Sequence, residues 1–458
     1  DNSDQGTGTF IMKRNTTPVN RYDYTYWSSP VQGQTLHDLS PATLADKYFE
    51  FDTAFNQWQL IPGGNTEMQP AKGYIIRAPQ TFSTTVDAIY PATFTGSPNN
   101  GIYTPTIVAN DNNNMNLLGN PYPSAIDADL FLSAPENLGV VNGTIYLWTH
   151  NSGTTANGAG QFLYSDDYAA YNMTGSVQTS PFATPFHGKI AAGQSFFLEG
   201  TANSTALFKN SMRIAEGNDQ FFREPSNNGH VQDAGYTMKN RYWLDISNEL
   251  GGFNQMLVGY MAGATTGFDR NYDGKVIGNN AVKLYSVAHG VKYKIQGRPY
   301  PLDTYDRVQI GYKSVNAGTF QISLSNVEGL FDQQAVYLED KLLHVLHNLK
   351  EAPYTFTTAA GTFDTRFEIR YRGEYLSTAY QTIFSKVGVA AKDQTITVQS
   401  ENADIKEVHV FDVTGKLLYT NTDVNATLLP INMAPKNQML LVRIKLDTDE
   451  ETVKKIMF

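Results

Sequence analysis

The stretch IKEVHVFDVTGKLLYT, residues 405–420, alternates apolar and polar side chains on both sides of a short polar segment. Alternation with a period of two is typical of a β-strand with one buried face. Between the two runs lies DVTGK (412–416), where Gly415 can adopt a positive φ without steric strain. The stretch therefore predicts a β-hairpin with one face against a core.

The same period continues through the rest of the C-terminal part of the sequence. Further alternating runs lie before it, at VGVAAKDQTITVQS (387–400), and after it, at ATLLPINM (426–433), QMLLVRIKLDTD (438–449) and ETVKKIMF (451–458). About six or seven short strands in a unit of this size fit a small immunoglobulin-like β-sandwich. We therefore predict a separate immunoglobulin-like domain at residues 383–458.

The earlier part of the chain carries short β-branched and aromatic runs, such as KGYIIRAP (72–79) and RYWLDISN (241–248), separated by Gly, Pro and Asn clusters. Runs of this composition and spacing are typical of antiparallel sandwiches and jelly rolls. We expect an all-β chain in which two antiparallel β-sandwich or jelly-roll-like domains, 1–222 and 236–376, precede the immunoglobulin-like sandwich.

Two local features interrupt the strands of this prediction. The polar, aperiodic segment REPSNNGHVQDAG (223–235) predicts a linker between the first two domains. The segment SAIDADLFLSA (124–134) predicts one short helix with Ser124 as its N-cap and Asp127 three residues later.

Length and composition limit the class of protein. At 458 residues the chain exceeds one hydrophobic core, and the length alone predicts about three domains. The net charge of −10, without a basic cluster, argues against a nucleic-acid partner. There is no cysteine, and no apolar run is long enough for a transmembrane helix. Because the first residue is Asp1 rather than Met, we expect a piece of a longer protein.

Two short motifs in the last predicted domain carry a family resemblance. One is the turn from Asp412 to Lys416, and the other is KKIMF (454–458). Together they resemble the C-terminal sorting domain of cargo proteins of the type IX secretion system of Bacteroidota. The segment KNQMLLV (436–442) lacks the Gly-x-Tyr of the common subtype and is closer to the subtype called type C.

The resemblance extends upstream, where LLGNPYPSAIDADLFL (117–132) and LVGYMAGATTGFDRNYDGK (257–275) look like modules that precede such sorting domains. It implies the non-catalytic C-terminal region of a secreted or cell-surface protein, either an adhesin or a structural stalk. It also implies export through the periplasm and across the outer membrane. The implied partners are the translocon and its outer-membrane shuttle and adaptor proteins.

The resemblance further implies that residues of the two motifs carry recognition of the export signal. These residues are Asp412, Gly415, Lys416, Lys454, Lys455, Ile456 and Phe458. The alternative is structural: the same residues close the sandwich, and their loss prevents export by unfolding the domain. Replacing both lysines separates the two interpretations, since we expect neither charged side chain to hold the core.

The sequence offers one candidate calcium site. FDRNYDGK (268–275) places Asp269, Asn271 and Asp273 at alternate positions before a glycine, as in the first half of a calcium-binding loop. The twelfth position of such a loop is an acid that binds through both oxygens, and here it is Asn280. Asp and Asn also favour ordinary turns, which is the alternative interpretation.

An alternative function starts from the tryptophans, of which Trp58 precedes a loop and is the best candidate for an exposed ring. An exposed indole can stack on a sugar, so the alternative is a carbohydrate-binding or enzyme-accessory region that binds a surface glycan; packing in a core is the competing explanation. The sequence contains no G-x-S-x-G elbow and no P-loop. We therefore assign no catalytic residue and expect any catalytic domain upstream of residue 1.

Overall fold

A computed structural model describes most of the chain, and the predicted linker 223–235 lies outside the described residues. The described residues are 8–110, 114–149, 155–156, 162–163, 168–181, 183, 185–218, 239–278, 280–373, 387–392, 394–401, 403–434, 438–448 and 451–458.

Packing divides the chain into two compact units, each described by itself below. The first consists of Asp1–Asp303, Ile310–Gln333 and Ala359–Asp364. The second consists of Thr304–Gln309, Gln334–Thr358 and Thr365–Phe458. The predicted domain boundaries, 1–222, 236–376 and 383–458, stay predictions.

Short strands dominate the first part of the chain, as its β-branched and aromatic runs predict. The elements are β1 (Phe10–Asn15), β2 (Tyr24–Trp27), α1 (Leu36–Leu39), β3 (Tyr48–Asp52), β4 (Gln57–Leu60), a 3₁₀ turn (Pro62–Gly64), β5 (Tyr74–Arg77), β6 (Pro91–Gly96), β7 (Thr106–Ile107), β8 (Met115–Gly119), β9 (Ala125–Asp127), α2 (Ala128–Leu132), β10 (Val141–Trp148), β11 (Thr155–Ala156), β12 (Phe162–Leu163), β13 (Tyr168–Asn172), β14 (Gly175–Val177), β15 (Lys189–Ile190), β16 (Ser195–Gly200), β17 (Ser204–Thr205), a 3₁₀ turn (Asn210–Met212) and β18 (Arg213–Ile214).

The strands of the middle part are longer. They are β19 (Asn240–Asn248), β20 (Phe253–Met261), β21 (Gly274–Lys275), β22 (Val282–Ala288), β23 (Val291–Pro299), β24 (Arg307–Ser314), β25 (Gly318–Glu328), a 3₁₀ turn (Gly329–Asp332), β26 (Tyr337–Asp340), β27 (Val345–Asn348), β28 (Tyr354–Thr358) and β29 (Gly361–Arg370).

The described residues of the last part contain seven strands. They are β30 (Val387–Lys392), β31 (Thr395–Ser400), β32 (Ile405–Asp412), β33 (Leu417–Asn421), β34 (Leu428–Asn432), β35 (Met439–Leu446) and β36 (Glu451–Met457).

The first unit is built from several sheets whose inner faces supply aromatic side chains. A five-stranded sheet has the order β14-β13-β10-β16-β8, and a four-stranded sheet has the order β2-β5-β3-β4. Five further strands are hydrogen-bonded to one another in the order β22-β23-β20-β19-β25. Most of these pairs are antiparallel, but β20 and β23 run parallel, with Leu257 opposite Ile295. Large buried side chains such as Phe131, Phe196 and Phe208 form the core beside α2.

In the second unit, β26 pairs antiparallel with both β27 and β29. The last seven strands form a two-layer sandwich with sheets of order β30-β31-β34 and β33-β32-β35-β36. Alternate residues of β35, including Val442 and Ile444, are fully buried between the layers with Ile396 and Val408. Each such side chain contributes about 1.5–3 kcal/mol by leaving water. This is the predicted immunoglobulin-like sandwich.

The all-β fold class is confirmed, since the two α-helices among the described residues span only four and five residues. Neither of these helices has the length or the apolar character needed to cross a membrane. The predicted helix at 124–134 begins later than expected. Asp127, rather than Ser124, is its N-cap and accepts a hydrogen bond from the Leu130 backbone N–H at 3.0 Å. Residues 125–127 instead form β9.

Candidate functional site

The turn between β32 and β33 is built by its own side chains. Asp412 accepts hydrogen bonds through Oδ1 from the Thr414 hydroxyl at 2.6 Å, the Thr414 backbone N–H at 2.9 Å and the Lys416 backbone N–H at 3.0 Å. These bonds, chiefly the one from the hydroxyl, lower the pKa of Asp412. Gly415 has a φ of +81°, where a side chain would be strained. Asp412 and Gly415 therefore have a structural role in the turn, while Lys416 is exposed.

Strand β36 lies at the edge of the four-stranded sheet, paired with β35. Residues directly opposite each other on antiparallel strands face the same side of the sheet. Lys454 lies opposite the buried Val442, and Lys455 lies opposite the half-buried Leu441. Lys454 therefore faces the core side, where burial lowers its pKa, and Lys455 projects from the outer face into solvent. The two lysines are not interchangeable.

The remaining residues of the second motif belong to the core. Ile456 lies opposite Leu440 and packs against the buried cluster of the sandwich. Phe458 is 7% exposed and belongs to the same cluster. Its backbone N–H donates to the Gln438 carbonyl at 3.0 Å, and the Gln438 N–H donates to the Phe458 carbonyl at 2.9 Å. Both residues therefore stabilise the sandwich directly.

The strand register brings the two sequence motifs to one end of the sheet. Asp412 lies opposite Leu440, which in turn lies opposite Ile456. With neighbouring strands about 4.8 Å apart, the turn and the end of β36 are separated by roughly 10 Å. Lys455 belongs to the next row on the outer face. Residues about forty positions apart in sequence therefore lie at the same end of one sheet.

The outer face of this sheet has an apolar half and a charged half. One row across the four strands consists of Leu417, Phe411, Leu441 and Lys455. Toward the turn, the surface continues with the exposed side chains of Val413 (50%), Met439 (44%) and Met457 (69%). We call the six apolar residues of this set, without Lys455, the outer apolar end. The opposite half carries Glu407, His409, Arg443, Lys445 and Glu451.

An outer sheet face is normally polar, and a contiguous exposed apolar patch marks an interaction surface. Sequence inspection missed Phe411, Leu441, Met439 and Met457 as surface residues. The signal was present in QMLLVRIK (438–445), where Leu441 and Met439 occupy outward positions of the alternation. Apolar residues at both phases of a strand cannot all face one core.

Trp58 lies on β4 and is half-buried in an aromatic cluster. Its ring contacts those of Phe51, Tyr26 and Phe197 edge to face, at centroid distances of 5.2, 5.8 and 5.9 Å. Such contacts add about 0.5–1.5 kcal/mol per pair beyond burial. Packing against these aromatic rings therefore explains the position of the Trp58 side chain. Its predicted role in binding a glycan stays a prediction.

The other three tryptophans are also packed within the first unit. Trp27 and Trp243 are buried, and the Trp243 indole N–H donates to the Ser176 carbonyl at 2.7 Å. Trp148 stacks on Tyr26 with the two ring planes 10° apart. None of the four indoles is a fully exposed platform for a sugar.

The predicted calcium loop places its three oxygen-bearing side chains against protein donors. Asp273 is 2% exposed and accepts from the backbone N–H groups of Asp269, at 2.6 Å, and Gly297, at 2.7 Å. Asp269 accepts from the Thr265 backbone N–H and hydroxyl. Asn271 accepts from the Arg270 guanidinium at 2.6 Å. Burial raises the pKa of Asp273 to about 7, against the lowering effect of its two hydrogen bonds.

These side chains fit a structural turn better than a calcium site. Calcium is bound by six to eight oxygens, preferably from ionised carboxylates. Here a guanidinium lies within the loop, and both Asp273 oxygens accept hydrogen bonds from the backbone. Among the described residues, no group of three or more His, Asp or Glu side chains is placed to hold a metal ion. The calcium hypothesis stays a prediction.

The fold and this surface define an all-β chain with an immunoglobulin-like sandwich at residues 387–458. The chain belongs to the family described as Domain of unknown function (DUF8693), whose model matches residues 1–371. A second model, Domain of unknown function (DUF8694), matches residues 376–458. No curated protein matches the chain.

A solved structure titled "Central Fibronectin-III array of RIM-binding protein" is similar to the chain, with 13% identity and a TM-score of 0.11. The similarity covers 43% of this chain and 96% of that one.

Proposed function

We propose that this chain is the non-catalytic C-terminal region of a secreted or cell-surface protein, an adhesin or a stalk, exported by the type IX translocon. In this proposal the sandwich at 387–458 is the folded export signal. The observation that supports it most directly is the register of the strands. Asp412 lies opposite Leu440, and Leu440 lies opposite Ile456, so the turn motif and the lysine-containing strand lie at one end of one sheet.

The surface at this end has the chemistry of a docking site. The outer apolar end would leave water on binding, and each of its larger side chains could contribute about 1.5–3 kcal/mol. The exposed ammonium groups of Lys416 and Lys455 stand at its border. A translocon component or shuttle protein that binds here would therefore present an apolar centre with carboxylates at its rim.

The residues of the two motifs divide into two roles under this proposal. Asp412, Gly415, Ile456 and Phe458 shape the surface from within the turn and the core. Lys455 and Lys416 are accessible for direct contact, whereas Lys454 faces the core side. Loss of a shaping residue would impair export through misfolding, and loss of a contact residue would impair export of a folded chain.

The proposal is tested by following a periplasmic reporter fused to residues 383–458 in type IX-competent cells and in matched cells that lack the translocon. We expect the reporter in the medium or on the cell surface only when the translocon is present. A reporter without the fusion controls for leakage. Equal release from both strains, or retention of the folded fusion in the competent strain, would contradict the proposal.

A further inference from the structure

The unpaired edge of β36 is defined by four residues. Phe458 and Gln438 exchange both backbone hydrogen bonds, and such pairs recur at every second residue of an antiparallel ladder. The backbone N–H and C=O groups of Thr452, Lys454 and Ile456 therefore point toward β35. Those of the intervening residues point away from it, and no described strand pairs with this edge. The intervening residues are Glu451, Val453, Lys455 and Met457.

The side chains of the same four residues share the outer face. Each lies opposite an outward residue of β35, from Lys445 opposite Glu451 to Met439 opposite Met457. Along the edge, a carboxylate, an apolar residue and an ammonium therefore follow one another at every second position, about 6.8 Å apart. This order of charges reverses when the strand is turned end to end.

We propose that this edge binds the same edge of a second copy of the chain. In an antiparallel arrangement centred on Val453, the two Val453 residues face each other, and Glu451 of each copy lies opposite Lys455 of the other. All three pairs use backbone groups that point away from β35, so each forms a hydrogen-bonded pair. The arrangement contains two opposite-charge cross-strand contacts and joins two four-stranded sheets into one.

Charge complementarity favours a second copy as the partner and disfavours three other registers. Centring the pair on Lys455 or on Glu451 places like charges directly opposite each other, which destabilises a ladder. Centring it on Lys454 juxtaposes two ammonium groups on the core side. Lysines on an edge strand oppose pairing with unrelated strands. Only an edge that presents a carboxylate at the matching position, as this strand does, offsets that repulsion.

The inference goes beyond the proposed function and does not depend on it. Self-association through the edge leaves most of the outer apolar end uncovered, since that surface extends across the face toward β33. Glu451 also has no role in the proposed export surface. A change at Glu451 can therefore alter self-association without removing any residue of that surface.

The test is sedimentation of the full chain across a wide range of concentration, with charge-reversal variants. We expect reversible dimers that weaken with salt, and Lys455→Glu or Glu451→Lys alone weakening association about ten-fold. The double variant, which exchanges the two charges, restores it. Thermal melting of each variant checks that the sandwich stays folded, because Glu451 also pairs with Arg443.

A backbone variant gives an independent measurement. Val453→Pro removes an N–H that points away from β35, so the sandwich keeps its own ladder while the centre of the second-copy pair is lost. Val453→Ala keeps the N–H and is the matched control. A chain that stays monomeric at all concentrations overturns the inference. So does a dimer whose strength is unchanged by both single charge reversals and by Val453→Pro.

Discussion

At the scale of the residue, contacts between positions far apart in sequence decide the role of the predicted calcium loop. The spacing of Asp269, Asn271 and Asp273 predicts convergent oxygens, and the residues do lie on one turn. What the spacing could not reveal is Arg270, whose guanidinium also donates to the carbonyls of Val141 and Leu132. Those partners are more than a hundred positions away, and no local pattern predicts such contacts.

The turn at 412–416 was predictable because its conformation is set locally. We predict that Gly415→Ala destabilises the β32–β33 hairpin by about 1 kcal/mol or more, because alanine is strained at a φ of +81°. Hydrogen exchange of the amides of β32 and β33 measures the loss. Val413→Ala, in the same exposed turn, is the control, and equal exchange in the two variants would contradict a backbone role for Gly415.

Asp273 predicts a pH dependence of the first unit. Its pKa is raised from 3.8 to about 7 by burial, so the folded state binds the proton more tightly than the unfolded state. This contribution to stability is therefore complete at low pH, falls as the pH rises from 3.8 to about 7, and is constant above that. The thermal midpoint of the wild type, measured relative to that of Asp273→Asn, should therefore fall as the pH rises from 3.8 to about 7. A difference independent of pH would refute the prediction.

The turn interpretation of the same loop predicts a null effect of calcium. Because protein donors already engage the oxygens of Asp269, Asn271 and Asp273, added calcium should leave the thermal midpoint of the first unit unchanged. Magnesium at equal ionic strength is the control for non-specific effects. A calcium-specific rise in the midpoint, lost in Asp269→Asn, would instead establish the calcium hypothesis.

At the scale of the element, the period-two pattern predicted the strands of the last sandwich but not the facing of β36. Val453 and Ile456 are both apolar, yet an odd number of positions separates them, so one must face outward. Pairing with β35 determines which residues face the core. Ile456 and Phe458 pack in the core, and Lys454, which lies an even number of positions from both, is on the same side of the sheet. Register depends on the partner strand, which a single run of sequence does not specify.

This facing predicts an asymmetry between the two lysines. Lys454→Glu should destabilise the sandwich by about 1–2 kcal/mol, since it sets a carboxylate against the core side. Lys455→Glu, on the exposed outer face, should change stability by less than about 0.5 kcal/mol. Hydrogen exchange of the β35 amides in the full chain compares them. Equal protection in the two variants would show that the lysines occupy equivalent environments.

At the scale of the whole molecule, composition and strand spacing were sufficient for the all-β class and for the terminal sandwich. They could not specify sheet order, because pairings such as that of β10 with β16 join strands far apart in sequence. The parallel pair of β20 and β23 illustrates the limit, since a series of closely spaced strands predicts antiparallel neighbours. The outer apolar end could not be predicted either, because its residues come together only when the four strands of the sheet pair in the correct register.

The central claim is that export depends on a surface of the folded sandwich, and secretion of paired lysine variants tests it most directly. The full chain carrying Lys455→Glu is compared in type IX-competent cells with Lys392→Glu, an exposed lysine on the opposite sheet. Exchange protection confirms that both are folded. We predict that secretion of Lys455→Glu falls about ten-fold, as expected for a repulsive rim contact of roughly 1.4 kcal/mol, while Lys392→Glu is secreted normally. Normal secretion of folded Lys455→Glu would contradict the claim.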